Sequence, residues 1–370
     1  MTARPAIDLC DLAPSYISAI APYQPGKPIA ELERELGITG AVKLASNENP
    51  AGASARAIAA ARAALDDIAR YPDGNGFELK RAIAARHGVA ENAIVLGNGS
   101  NDVLELVART FLTPGAAAVF AQHAFAVYAL VTQATGAIGI EVPARDYGHD
   151  LPAMARAITA DVKVVFVANP NNPTGTLAPP EEVHAFLESV PSRVLVVLDE
   201  AYSEYLPDAL KSDSVAWLTR FPNLVVSHTF SKAYGLAGLR VGYGLTHPAL
   251  ADLMNRVRQP FNVSSVAQAA AVAALDDESF VQDSRERNGQ GMAQITAGLA
   301  GLGLDFIPSY GNFVTFRVAH ASGVYDRLLR LGVIVRPIAS YGMPDFLRVS
   351  IGLPGENARF LSALGQALSR

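Results

Sequence analysis

The chain has 370 residues and a formal net charge of −5; 50% of its residues are hydrophobic and only 18% are charged. This balance excludes a disordered or fibrous protein and offers no basic surface for nucleic acid. Because single hydrophobic cores stop growing near ~250–300 residues, the length predicts two domains.

The sequence predicts neither a membrane span nor a secretory signal. No apolar run reaches the ~20 residues that cross a bilayer, and the opening residues MTARPA lack the apolar stretch of a signal peptide. The single cysteine, Cys10, can form neither an internal disulfide nor a multi-thiolate metal site, and the histidines lack paired spacing. We therefore expect a cytoplasmic protein without a protein-bound catalytic metal.

The N-terminal part predicts an arm that leads into a domain. Prolines punctuate residues 1–40, in which one helix is predicted at residues 29–36. A strand end at residues 43–50 then runs into a polar loop, whose side chains either cap the turn or face a ligand. Apolar spacing predicts amphipathic helices at residues 53–69 and 77–87.

A glycine-rich turn follows the next predicted strand. Residues 94–96 are apolar, the turn Gly97-Asn98-Gly99-Ser100-Asn101 comes directly after them, and residues 102–111 have helical spacing. A strand, a glycine-rich turn and a helix together point free backbone N–H groups at an anion, although an ordinary loop between a strand and a helix has the same pattern.

Further apolar runs alternate with helical segments, and each predicts a strand covered on both faces; they lie at residues 118–121, 164–168, 194–198 and 224–226. This alternation predicts an α/β fold in which helices enclose a mostly parallel sheet. Polar residues follow the last three runs: 169–175, 199–202 and the stretch from Ser227. Functional groups of such folds lie at the carboxyl ends of strands, so we expect these groups at one edge of the sheet.

The stretch of residues 227–244 places a single lysine on a tight turn. Thr229 and Ser231 flank Lys232 closely in sequence, and Arg240 comes before a second short apolar run. Hydroxyls and a guanidinium suit a phosphate, and a nearby positive charge lowers the pKa of an amine that must attack a carbonyl. The stretch therefore suggests a Schiff-base lysine beside a phosphate site; the alternative is an ordinary surface lysine.

The C-terminal part changes pattern after residue 262. Helices are predicted at residues 266–275, 280–302, 324–331 and 356–368, and strands at 313–316, 333–335 and 346–351. We expect an N-terminal arm (1–40), a large α/β domain with a mostly parallel sheet of seven-stranded type (41–262), and a smaller α+β domain (263–370).

Side chains near the predicted edge suit pyridoxal phosphate. Asp199, at the end of a buried strand, would keep the ring nitrogen of that cofactor protonated, although a helix cap or salt bridge would also explain it. Tyr202 and Asn172 can donate hydrogen bonds to the ring oxygen. Phe125 could stack on the ring or belong to the core. Arg348 lies within a strand, where its planar fork suits a substrate carboxylate.

These motifs resemble those of fold-type I pyridoxal-phosphate aminotransferases, through residues 169–175, 199–202 and 227–243 in this order. A narrower resemblance, to the histidinol-phosphate aminotransferase family, rests on residues 23–28, 43–50, Tyr71-Pro72-Asp73-Gly74 and 332–352. It covers nearly the whole chain. Where the family commonly has a Pro-x-aromatic triplet, this chain has His123-Ala124-Phe125.

The resemblance implies a role for each motif residue. Lys232 would bind pyridoxal 5'-phosphate covalently and move the substrate proton, with Asp199 and Tyr202 as the other catalytic groups. The remaining cofactor contacts would be Asn172 and Tyr202 at the ring oxygen, Phe125 on the ring face, and Ser100, Asn101, Thr229, Ser231 and Arg240 at the phosphate. Tyr71 would reach the cofactor of a second subunit, which implies a homodimer. The substrate would be bound by Tyr23, Asn47, Asn172, Arg336 and Arg348.

The reaction implied is transfer of an amino group from L-histidinol phosphate to 2-oxoglutarate, with glutamate as a product. Phenylalanine or tyrosine as the amino donor, a threonine-phosphate decarboxylase type of lyase, or a racemase would use the same cofactor residues. A non-enzymatic regulator would need a DNA-reading module, and no spare basic domain is present in the sequence.

Overall fold

The computed structural model describes residues 9–23 and 26–369. Residues 1–8 of the predicted arm, and Gln24 and Pro25 of the quoted N-terminal motif, lie outside the described residues, as does Arg370. No helix in the described part of the chain is both long and apolar enough to cross a membrane.

The described residues form the following elements. The helices are α1 (Ser15–Ser18), α2 (Ile29–Leu36), α3 (Ala55–Ala64), α4 (Phe77–His87), α5 (Ser100–Phe111), α6 (Val127–Ala134), α7 (Leu151–Arg156), α8 (Pro180–Ser189), α9 (Ser214–Trp217), α10 (Pro248–Val257), α11 (Ser265–Leu275), α12 (Glu278–Gly301), α13 (Ala321–Arg330) and α14 (Pro354–Leu368). The strands are β1 (Val42–Lys43), β2 (Ile94–Gly97), β3 (Ala117–Ala121), β4 (Ile138–Val142), β5 (Val162–Ala168), β6 (Leu195–Asp199), β7 (Leu224–Thr229), β8 (Gly242–Thr246), β9 (Phe306–Ile307), β10 (Phe313–Arg317), β11 (Val333–Ile334), β12 (Arg336–Pro337) and β13 (Phe346–Ser350).

The large sheet has seven strands in the order β2-β8-β7-β6-β5-β3-β4 among the described residues. Strands β3 to β7 pair in parallel, whereas β8 runs antiparallel to both of its neighbours, β2 and β7. Its inner strands β6 and β7 are buried at every position because helices cover both faces. The predicted α/β fold with a mostly parallel sheet is therefore confirmed.

The smaller C-terminal unit is built on a four-stranded antiparallel sheet in the order β12-β13-β10-β9. Its core is formed by apolar residues of that sheet and of helices α12, α13 and α14, with Phe316 and Phe360 meeting edge to face at 5.9 Å. The predicted smaller α+β unit is thereby confirmed.

Two contacts cross the predicted domain limits. Strand β1 pairs in parallel with β11, and Leu44 beside it lies in the core of the C-terminal unit. Helix α11 instead contributes Ala267, Ala270 and Ala271 to the core of the large sheet. The segments near residues 42 and 265 thus each pack with the unit on the other side of a predicted limit, and the limits 1–40, 41–262 and 263–370 stay a prediction.

Several predicted boundaries shift for local reasons. The helix expected at residues 53–69 is Ala55–Ala64, because Ser54 caps its start by accepting a hydrogen bond from the Ala57 N–H at 3.1 Å. Helix α5 begins at Ser100 instead of residue 102, directly after Gly99 with φ 87°. Strand β7 extends to Thr229, so three residues expected in a turn belong to the sheet.

Candidate active site

A cavity opens at the carboxyl ends of β5, β6 and β7, next to the C-terminal unit. Its wall contains every predicted site residue except Tyr71: Tyr23, Asn47, Ser100, Asn101, Phe125, Asn172, Asp199, Tyr202, Thr229, Ser231, Lys232, Arg240, Arg336 and Arg348. Parallel strands end at the same edge of the sheet, which explains why residues far apart in sequence meet here.

Lys232 lies three residues beyond the end of β7, and its amine faces the cavity. Its Nζ donates a hydrogen bond to the Ser46 carbonyl oxygen at 3.1 Å and lies 5.6 Å from the centre of the Tyr202 ring. Burial, and after it the charge of Arg348, lower the pKa of Lys232 from 10.5 to about 7. A substantial fraction of this amine is therefore unprotonated at neutral pH, as a nucleophile requires.

Asp199 ends strand β6, with 5% of its surface exposed in the same cavity. Its Oδ2 accepts a hydrogen bond from the Tyr128 hydroxyl at 2.9 Å, whereas Oδ1 has no hydrogen-bond partner among the described residues. Burial raises the pKa of Asp199 to about 6, and the Tyr128 hydrogen bond opposes that rise. Its buried Oδ1 therefore needs a donor from a ligand.

Pyridoxal phosphate fits the two groups just described. Its ring nitrogen, when protonated, is a donor of the kind that the orphaned Asp199 oxygen needs, and its aldehyde carbon suits the Lys232 amine. Both side chains line one cavity, so they are placed to act on a single ring.

An anion site lies at one end of this cavity. Arg240 donates from Nη1 to the Ser231 Oγ at 3.1 Å, and the Ser231 N–H donates to the Thr229 Oγ1 at 3.2 Å. Helix α5 begins beside them at Ser100, where free N–H groups point outward. A Cβ on Gly99 would lie 2.4 Å from Arg240 Nη2, so glycine is required for this approach. Hydroxyls, a guanidinium and a helix N-terminus suit a phosphate group.

Tyr202 and Asn47 form a hydrogen-bonded polar pair in the wall of the same cavity. Asn47 Nδ2 donates to the Tyr202 hydroxyl oxygen at 2.9 Å, and the Ser350 hydroxyl donates to Asn47 Oδ1 at 2.9 Å. Burial raises the pKa of Tyr202 to about 12, so its hydroxyl keeps its proton and can donate it to a ligand oxygen.

Two arginines supply positive charge at the end nearest the C-terminal unit. Arg336 and Arg348 are directly opposite each other on the antiparallel strands β12 and β13. Arg348 donates to the Ala45 carbonyl at 2.7 Å and to the Asn172 side-chain oxygen, while its Nε has no hydrogen-bond partner in the described residues. The Arg336 guanidinium lies 5.3 Å from the ring centre of Tyr23, a cation–π contact. This end can bind a carboxylate or a phosphate.

Of two aromatic residues predicted for the site, Phe125 lines the cavity and Tyr71 does not. Phe125 lies on the cavity wall, and its ring meets the Tyr128 ring edge-on at 5.9 Å. Tyr71 lies outside the cavity; it is 82% exposed and stacks on Phe261 with ring centres 4.7 Å apart. Within one chain, Tyr71 is therefore not part of the site.

Sequence reasoning missed three residues of the site. Tyr128 hydrogen-bonds Asp199, Tyr341 lines the cavity near both arginines, and Ser350 orients Asn47. Tyr128 lies in helix α6, whose sequence VYALVTQA is mostly apolar, and nothing in that local pattern marks it as a site residue. A buried tyrosine hydroxyl needs a partner, and that requirement was the available signal.

A large α/β unit with a lysine, an aspartate and an anion site at its strand ends indicates an enzyme of the class that uses pyridoxal phosphate. The family described as aminotransferase class I and II matches residues 39–364. The chain belongs to this family.

Similar proteins refine this assignment. The chain is 65% identical to a histidinol-phosphate aminotransferase of Methylobacillus flagellatus, over 97% of this chain and 98% of that protein. It is 61% identical to histidinol-phosphate aminotransferase 2 of Nitrosospira multiformis, over 98% and 93% respectively. A crystal structure of histidinol-phosphate aminotransferase from Sinorhizobium meliloti, in complex with pyridoxal-5'-phosphate, superposes with a TM-score of 0.89 and 30% identity, covering 96% of this chain and 97% of that one.

Proposed function

We propose that this protein is a pyridoxal-phosphate-dependent transaminase that moves the amino group of L-histidinol phosphate to 2-oxoglutarate. The products are imidazole acetol phosphate and glutamate, a step of histidine biosynthesis. One observation carries the proposal: a single cavity is lined by Lys232, Asp199, the anion site around Arg240 and the arginine pair. The similarity to histidinol-phosphate aminotransferases over almost the full chain supports the choice of substrate.

When bound, pyridoxal phosphate supplies an electron sink that stabilises negative charge at the substrate carbon bearing the amine. Lys232 would hold the cofactor through its aldehyde, and its amine, when free, would move the proton between that substrate carbon and the former aldehyde carbon of the cofactor. Asp199 keeps the ring nitrogen protonated, and the Tyr128 hydroxyl holds the Asp199 carboxylate in place. Arg240, Ser231, Thr229 and the start of helix α5 hold the phosphate and so fix the ring position.

The arginine end explains how one site accepts two different substrates. Glutamate presents a carboxylate there and histidinol phosphate a phosphate, and both anions take the forked donors of a guanidinium. Arg336 and Arg348 face each other across two strands, so both can contact one bound anion. Tyr23 and Asn47 complete the contacts that we assign to the substrate.

A keto-acid assay tests this function. Purified enzyme is given pyridoxal phosphate, 2-oxoglutarate and, in separate reactions, histidinol phosphate, phenylalanine or tyrosine. We expect the highest kcat/KM with histidinol phosphate. A far higher value with either aromatic amino acid would overturn the assignment, and release of carbon dioxide without a keto product would indicate a lyase.

We also propose a homodimer, located in the cytoplasm, in which Tyr71 serves the partner's site. The 82% exposure of Tyr71 outside its own cavity supports this arrangement, and the use of only one cysteine agrees with a reducing compartment. Mixing Lys232→Ala chains with Tyr71→Ala chains tests it. A mixed dimer would hold one site with both residues intact, so activity should exceed that of either variant alone. No gain on mixing chains that exchange subunits would place Tyr71 outside the partner's site.

A further inference from the structure

A second cavity, of about 220 Å³, lies on the other side of the strand ends that carry the active site. We call it the rear cavity and define it by Glu200, Glu204, His228, His87 and Tyr243, which line it. None of these residues lines the active-site cavity. The space is polar and large enough for several water molecules.

The rear cavity and the active site share two strands. Successive side chains of a strand point to opposite faces, so Asp199 and the following Glu200 face different cavities. On the neighbouring strand, Thr229 lines the active-site cavity and the preceding His228 lines the rear cavity, which is the same alternation. The Glu200 N–H donates to the Ser227 carbonyl at 2.9 Å, so the two strand ends are already in register there.

His228 is held rigidly but its nitrogens are unsatisfied. Its ring packs between His87, at 5.4 Å, and Tyr243, at 5.2 Å between ring centres. Nε2 lies 3.7 Å from a Glu200 carboxyl oxygen and Nδ1 lies 3.9 Å from a Glu204 oxygen. Neither ring nitrogen has a hydrogen-bond partner in the described part of the chain, although His228 is only 5% exposed. Both distances exceed the usual N–H···O range by only about 0.5–0.7 Å, so a small side-chain rotation would make either contact a hydrogen bond.

The charge states make Glu200 and His228 complementary. Burial raises the pKa of Glu200 to about 8, and burial followed by the charge of His87 lowers the pKa of His228 to about 3. At neutral pH a protonated carboxyl therefore faces a neutral imidazole, which can accept its proton in a hydrogen bond. The described residues contain no group of three or more His, Cys, Asp or Glu that could hold a metal ion.

We propose that Glu200 and His228 are positioning residues for the cofactor. The contact between the Glu200 carboxyl and the His228 ring, 3.7 Å apart, fixes the ends of β6 and β7 from behind, so that the Asp199 carboxylate and the Thr229 hydroxyl keep the spacing that one cofactor molecule needs. Ser214 supports the pair because its hydroxyl donates to Glu200 at 2.9 Å. The inference rests on the proposed use of pyridoxal phosphate and not on the identity of the amino donor.

The test measures the affinity of the apoenzyme for pyridoxal phosphate by absorbance titration at neutral pH. His228→Phe keeps a stacking ring but removes both nitrogens, and Glu200→Met removes the polar group at similar size. Each should weaken the affinity about tenfold, the scale of one lost buried hydrogen bond. Glu200→Gln keeps a neutral donor, so its affinity should stay within about twofold of that of the native chain. Methionine and glutamine are similar in size, so a difference between the two variants reports the hydrogen bond and not the filled volume.

Thr246→Val is the matched control. Thr246 is buried on β8 and donates to the Leu224 carbonyl at 2.7 Å, at the opposite end of the same strands. It should lower the temperature of unfolding without changing cofactor affinity. If His228→Phe does not fold, Glu200→Met and Glu200→Gln decide the question between them.

Native affinity in both His228→Phe and Glu200→Met would overturn the inference, as would an equal loss in Thr246→Val or in Glu200→Gln. These outcomes differ from a failure of the proposed function. A native chain that binds no pyridoxal phosphate would refute the function itself, and a native chain that binds it but ignores histidinol phosphate would refute only the choice of substrate.

Discussion

Replacing Tyr128 by phenylalanine tests how the protein controls the charge of Asp199. Tyr128 is fully buried, stacks on Phe166 with ring centres 4.9 Å apart, and donates its hydroxyl to Asp199 Oδ2 at 2.9 Å. Phenylalanine preserves the ring and its packing, so the substitution removes the hydrogen bond and little else. The carboxylate loses a donor that favours its charged form.

The expected rise in the pKa of Asp199 follows from the loss of that single hydrogen bond. A hydrogen bond to a charged group contributes about 1.5–3 kcal/mol, and one pKa unit corresponds to about 1.4 kcal/mol. The pKa of Asp199, now about 6, should therefore rise by about 1 to 2. Because binding of a protonated ring nitrogen needs the ionised carboxylate, affinity for pyridoxal phosphate at pH 7 should fall about two- to tenfold.

The assay is a titration of apoenzyme with pyridoxal phosphate at several values between about pH 5 and pH 9. The acidic fall in affinity should move to higher pH in Tyr128→Phe, and the two proteins should converge near pH 9. Tyr205→Phe is the control, because Tyr205 is also buried but its hydroxyl accepts from the neutral Asn312 amide at 3.4 Å. A loss of affinity that is equal at every pH would refute the reasoning.

Three further predictions concern other parts of the site. Lys232→Ala should abolish the visible absorbance of covalently bound cofactor and lower turnover by several powers of ten. The control Lys163→Ala, at an exposed position of β5, should change neither the absorbance nor the turnover. Retained activity in Lys232→Ala would show that this lysine is not the catalytic residue. Arg336→Lys should raise KM for both histidinol phosphate and glutamate, because a lysine cannot form the fork that an anion accepts. Steady-state kinetics would contradict this if neither KM changed. Glu200→Gln should gain stability relative to the native apoprotein as the pH rises from about 4.5 to about 8. Burial raises the Glu200 pKa from 4.5 to about 8. Between these values the native fold holds a proton there that the unfolded chain has lost, so the native fold is destabilised as the pH rises. Denaturant unfolding at several pH values measures the difference in free energy of unfolding between the two proteins, and a difference that stays constant with pH would contradict the prediction.

Local sequence determined the elements and the edge at which the chemistry lies. Runs such as that of β5, rich in valine, have no solvent-facing period and so predict strands covered on both faces. Because polar residues follow β5, β6 and β7 directly, the parallel arrangement alone placed Asn172, Asp199 and Lys232 beside one cavity. The fold class and the position of these three residues could therefore be predicted from the sequence pattern, whereas cavity residues such as Tyr23, Asn47 and Arg336 were expected only from the family resemblance.

Only the tertiary structure decided which distant residues face each other. Arg336 opposes Arg348 because β12 and β13 pair antiparallel, and Leu44 enters the C-terminal core because β1 pairs with β11, almost 300 residues away. Periodicity describes neighbours along one element and carries no information on such pairings. The Tyr128 hydroxyl illustrates the same limit: its helix is mostly apolar in sequence, and the role of the hydroxyl depends on a carboxylate at the end of strand β6.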